Sequence, residues 1–144
     1  MTKIRGYFSF AHEDNPVWIT TPQDVDRFID GLLGEPFENS VAALYVDGRT
    51  NEKGFTDHEL LVAVNGRDQV GGLRYLGDAG SFYAVGERSR YEELTYYYMG
   101  SDRPFPQDSE LSLELIRQGV KDFLASGGDR PSVGQWEVWP DEVG

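Results

Sequence analysis

Residues 96–136 read YYYMGSDRPFPQDSELSLELIRQGVKDFLASGGDRPSVGQW, and the local logic of this stretch decides the fold. An aromatic, β-prone run, Tyr96-Tyr97-Tyr98-Met99, stops at Gly100, and a loop with two prolines, Pro104 and Pro106, leads into an amphipathic helix. Ser112 has the hydroxyl of an N-cap, and Glu114 lies in the first turn, where the helix end is positive. Gly127 and Gly128 supply the left-handed residues that end a helix, with Pro131 just beyond. Between these signals Ile116, Gly119, Val120, Phe123 and Leu124 form one apolar stripe at helical spacing, with Arg117, Lys121 and Asp122 off it. One face of this helix is therefore buried and the other is wet.

Working outward, Ile4, Gly6, Phe8 and Phe10 alternate with Arg5, Tyr7 and Ser9, the period-two pattern of a half-buried strand. A polar turn, His12 to Pro16, then leads to Val17-Trp18-Ile19-Thr20, so the opening predicts a hairpin. Thr21, Pro22 and Asp24 form a near relative of the capping box at the head of a first helix. Its apolar stripe is Val25, Phe28, Ile29, Leu32 and Leu33, and Gly34 with Pro36 ends it. Central strands are expected at Val41–Val46, Leu60–Val64, Val70–Leu76, Ser81–Val85 and Glu93–Met99. Asn65-Gly66 has the signature of a two-residue type I′ turn, and Gly71-Gly72 of a bulge or break in the strand that holds it. Short turns imply antiparallel neighbours in a meander. The expectation is one α+β domain over residues 1–144: a mainly antiparallel sheet of about six strands, two helices packed on it, and the other sheet face partly free.

Composition bounds the function. The chain is 39% hydrophobic and 13% aromatic, which favours collapse over disorder. With 25 acidic against 13 basic side chains the net charge is −12, which argues against direct nucleic-acid binding and for a basic protein partner, unless the charge serves solubility alone. There is no cysteine, hence no disulfide, thiolate nucleophile or Cys-ligated zinc. No signal-peptide pattern or membrane-length apolar run occurs, so a cytoplasmic location is the default and no membrane partner is expected.

Catalytic signatures are missing. His12 and His58 are the two imidazoles, each in a polar segment expected to be exposed. Asp57-His58-Glu59 lie in extended chain, where three consecutive residues cannot all face one ion, so no metal site, catalytic residue or cofactor is assigned. No HExxH, P-loop, GxSxG or dinucleotide fingerprint is present. Tyr96, Tyr97 and Tyr98 must alternate between two sides of their strand, leaving at least one for a protein contact. Of Trp18, Trp136 and Trp139, Trp136 reads as structural. Trp139, beside Pro140 near the terminus, is the best candidate for exposure.

Several of these features together resemble the first-numbered class of immunity proteins from bacterial polymorphic toxin systems. They are Tyr98 and Gly100, Phe105-Pro106, the helix end Phe123-Leu124-Ala125-Ser126-Gly127-Gly128, Arg130-Pro131 and Trp136. The match is close over the last third and rests on element order before it. The resemblance implies an inhibitor that is monomeric when free and not an enzyme. It would block the active-site cleft of a cognate toxin domain, basic and commonly a nucleic-acid (cytosine) deaminase, whose zinc and catalytic glutamate are its own. On that role the toxin-binding surface is expected at Asp47, Glu52, Asp57, Tyr91, Glu92, Asp102 and Asp108, the acids and one aromatic of the long loops. Two alternatives stay open: a small-molecule-binding or enzymatic domain with a pocket between helix and sheet, and a structural subunit pairing through a sheet edge.

Overall fold

The computed structural model describes residues 1–143. Strands β1 (Ile4–Tyr7) and β2 (Val17–Ile19) form the opening hairpin, bridged by a 3-10 turn at Phe10–Glu13. Helix α1 (Pro22–Leu33) follows, then β3 (Val41–Val46), β4 (His58–Asn65), β5 (Val70–Gly77) and β6 (Gly80–Val85). After β7 (Thr95–Tyr98), β8 (Ser101–Pro104) and the short β9 (Leu111–Ser112) come helix α2 (Leu113–Ser126) and the closing strand β10 (Gln135–Val138). The main sheet runs β10-β6-β5-β4-β3-β1-β2, with β9 pairing β5, and every pairing is antiparallel. The α+β class holds, with more strands than the six expected.

Both helices form where their local signals put them. The Thr21 hydroxyl accepts from the Asp24 N–H at 3.1 Å, and the Asp24 carboxylate accepts from the Thr20 and Thr21 N–H groups. Ser112 Oγ accepts from the Leu115 N–H at 3.2 Å, and Gly127 ends α2 at φ +73°. The predicted stripes are the buried ones: Val25, Phe28, Ile29 and Leu32 of α1, and Ile116, Gly119, Val120, Phe123 and Leu124 of α2. They close over Ile4, Leu44, Leu60, Val62 and Leu73 of the sheet, and burial of this apolar surface drives the packing. Across the top of the layer Arg117 pairs with Asp26 at 3.1 Å and Asp30 at 2.6 Å, fixing α2 against α1.

The structure corrects three expectations about the middle of the chain. The Tyr96 run is not a central strand. β7 and β8 make a separate two-stranded ribbon across the outer sheet face, turning through Met99 and Gly100 at φ +47° and +85°. That is the two-residue turn with two left-handed residues, found here and not at Asn65-Gly66. Between β4 and β5 the chain uses the longer loop 66–69, with Asn65 already paired to Val70 and Gln69 at φ +58°. Asn65 holds that loop by accepting from the Asp68 N–H at 3.1 Å.

Gly71 and Gly72 are the third correction, because β5 is unbroken there. Each is a point of close approach. A Cβ on Gly71 would stand 2.2 Å from the Ala63 carbonyl oxygen, and one on Gly72 2.9 Å from the Phe105 ring. Phe105 reaches that spot because the ribbon builds a second apolar cluster on the outer face: Val41, Ala63 and Tyr83 from the sheet, with Leu94, Tyr96, Phe105 and Trp139. Trp139, expected to be exposed, is therefore buried, with Phe105 edge-on at 5.2 Å and the Arg74 guanidinium 3.9 Å above its ring.

Candidate protein-binding face

The ribbon covers only part of the outer face, and strand alternation decides what the uncovered part displays. In β1, Ile4 and Gly6 turn inward to the helices, so Arg5 and Tyr7 turn outward. Register then lines up Trp18, Arg5 and Tyr45 across β2, β1 and β3. Trp18 is half exposed on the edge strand. Tyr7 and Tyr45 pack edge to face at 5.9 Å, and the Arg5 guanidinium stands 5.8 Å from the Tyr45 ring. Arg5 also donates to the Tyr7 hydroxyl at 3.1 Å and pairs with Asp47 at 3.4 Å. From the ribbon Tyr98 joins this group, with Arg103 5.6 Å from its ring centroid.

The electrostatics keep Tyr45 and Tyr98 neutral. Tyr45 donates to the Glu59 carboxylate, and burial first, then that carboxylate, raises its pKa far above the usual tyrosine range. Burial, then Glu59, also raises Tyr98, which lies within electrostatic reach of Tyr7 and Glu13. Both hydroxyls are thus O–H groups at any physiological pH, on amphipathic rings suited to protein contact. Tryptophan, tyrosine and arginine are the residues that most often carry binding energy at protein interfaces.

The seven residues singled out by sequence do not form one patch. Asp47 sits at the margin of the aromatic face beside Arg5, and Asp102 is exposed on β8 opposite Tyr97. Glu52 is exposed in the loop between β3 and β4. Asp57, at the end of that loop, is engaged: it accepts from Arg49 at 3.2 Å and contacts His58 Nδ1 at 3.0 Å. Arg49 continues to the Gly127 carbonyl at 2.9 Å, tying the loop to the end of α2. Asp108 accepts from the Tyr83 hydroxyl at 2.9 Å. Tyr91 and Glu92 lie at the opposite end of the sheet, by the β4–β5 loop. There the Tyr91 hydroxyl donates to Asp68 at 2.9 Å and accepts from Arg67 and Arg90.

His58 was expected to be exposed and is buried, because it begins β4 facing α2, with the Phe123 ring 6.0 Å away. Glu59 points to the other side of the sheet, so the Asp57-His58-Glu59 run does not converge. Among the described residues no group of three or more His, Cys, Asp or Glu side chains could hold a metal ion. Among them, too, no helix is long and apolar enough to cross a membrane.

The sequence reading missed Arg5, Tyr7, Trp18 and Tyr45. The signal was there in the alternation of β1, where the outward positions are an arginine and a tyrosine instead of small polar groups. A separate concavity of about 810 Å³ opens at the C-terminal end of α1. Leu32, Leu33, Phe37, Val64, Leu94 and Tyr97 line it, with Glu35, Arg67, Tyr91 and Glu93 among its polar members.

No curated protein matches the chain. A family model described as "Immunity protein Imm1" matches residues 13–138, from the first 3-10 turn to the end of β10, and the chain belongs to that family of immunity proteins, whose role is to bind and neutralise a toxin.

Proposed function

We propose that this immunity protein silences its toxin by seating the uncovered part of the outer sheet face on the toxin's active-site cleft. The observation that carries the reading is Trp18, half exposed and aligned with Arg5 and Tyr45, on a face bordered by Glu13, Asp47 and Glu59. The aromatic row supplies apolar area at small entropic cost, and the carboxylates supply attraction to a basic rim. A net charge of −12 extends that attraction over the approach path and speeds encounter.

The toxin chemistry that fits best is a nucleic-acid deaminase acting on cytosine. An enzyme with a polyanionic substrate needs a basic groove, which an acidic protein surface can fill in the substrate's place. Any zinc and any general acid in the complex are then the toxin's, and this chain acts in the cytoplasm as a monomer without cofactor or catalysis. Asp47 acts directly at this contact and Glu52 at its margin, while Asp102 shares the Tyr97 side of the ribbon. Mixing the purified protein with the toxin domain encoded in the neighbouring reading frame tests this. A one-to-one complex that abolishes deamination is expected, and Trp18→Ala should weaken it by about thirtyfold or more.

A further inference from the structure

We infer that the 810 Å³ cleft beside α1 is a second docking site on the same toxin, for a projecting segment that carries a bulky apolar side chain next to a lysine or arginine. The inference rests on the proposed function for the identity of the partner. Size sets the first requirement, since the cleft has room for more than one large side chain and its floor is apolar, with Leu32, Val64 and Leu94 all buried. Phe37, 42% exposed, is a wall of this cleft and packs at 5.7 Å on Tyr97. A ring this exposed beside a concavity gains by being covered.

Charge sets the second requirement. The cation among the lining residues, Arg67, lies 3.4 Å from Asp68 and donates to the Tyr91 hydroxyl at 2.6 Å, but Arg90 shares both partners, at 3.0 and 2.8 Å, so this network keeps one surplus positive charge. The rim carboxylates are Glu35 and Glu93, and Glu93 has no side-chain partner among the described residues. Helix α1 ends here with no basic residue in its last turn, so its negative C-terminal end adds to theirs. Glu35, Glu93 and the helix end outweigh that surplus, so an apolar floor lies under a rim of modest net negative charge, which matches an apolar group with a single cation beside it.

Placement ties the cleft to the proposed interface. Tyr97 lines the cleft while the next residue, Tyr98, takes the other side of β7 and belongs to the aromatic face. The ribbon is the wall between the two, so one toxin surface astride it reaches both.

Two variants test the cleft independently of the face. Thr95→Trp fills it from β7, and Glu93→Lys reverses the rim at an exposed position where folding is not at stake. Calorimetric titration with the toxin domain should show each variant binding about tenfold or more weaker, with melting temperature unchanged for Glu93→Lys and the salt dependence of binding reduced for it. Binding within twofold of the parent for both variants would overturn the cleft assignment, while leaving the aromatic-face reading to stand or fall with Trp18→Ala. A small molecule released from the purified protein on denaturation and absent from the Thr95→Trp variant would also overturn it.

Discussion

His58 Nε2 accepts the Val46 N–H at 2.7 Å while Nδ1 lies 3.0 Å from the Asp57 carboxylate, so the buried ring is the neutral Nδ1–H tautomer, bridging β3 and β4. Protonation would leave Nε2 with a proton facing another donor. Burial, the largest influence, lowers the His58 pKa below its ordinary value of 6.5 against the opposing pull of Asp57. In the unfolded chain the ring takes up a proton first. Stability should therefore fall as pH drops through about 6.5 towards the lower folded-state value, and the His58 contribution should level off below that. Asp57 is lowered by its His58 hydrogen bond, so its own stabilisation is lost only at more acidic pH. Urea midpoints between pH 7.5 and 5 should decline for the parent and be flatter for His58→Phe. His58→Ala, which orphans the Val46 N–H, should cost about 1–3 kcal/mol at neutral pH.

The two glycines of β5 should differ under substitution. Gly71→Ala sets a methyl against a backbone carbonyl that the β4–β5 ladder fixes, whereas Gly72→Ala meets a side-chain ring that can shift. Gly71→Ala is expected to cost about 1–3 kcal/mol and Gly72→Ala less, read as the shift in denaturant midpoint.

Two tryptophans should separate stability from binding. Trp139→Ala removes a buried ring stacked under Arg74 and should destabilise by about 3–5 kcal/mol. Trp18→Ala, at a half-exposed edge position, should leave the melting temperature nearly unchanged and act on toxin affinity. Thermal melts of both variants beside the titrations give the comparison.

Ionic strength offers a further check. If acidic steering speeds the encounter, the association rate with the toxin should fall about tenfold or more between 0.02 and 0.5 M salt, with a much smaller change in dissociation rate. Stopped-flow mixing measures both.

The helices were legible in the sequence because their evidence is local: a cap, a stripe and a stop within fifteen residues or so of one another. The ribbon was not. Its existence depends on left-handed Met99, which carries no turn signature, and on Ser40, which accepts the Tyr97 N–H from 57 residues away in the chain. The same distance effect hid the tryptophans, since Trp139 is buried by Phe105 of a segment that reads as loop. Of the acids, Asp57 and Asp108 looked available because sequence does not show that Arg49 and Tyr83 engage them.

The most direct measurement is inhibition of the cognate toxin's activity by the intact protein and by Trp18→Ala combined with Asp47→Lys, both shown to be folded. Complete inhibition by the parent near one-to-one stoichiometry, with at least a hundredfold more of the double variant required, is the result predicted. Equal inhibition by the two proteins would contradict the assignment of the aromatic face as the surface that stops the toxin.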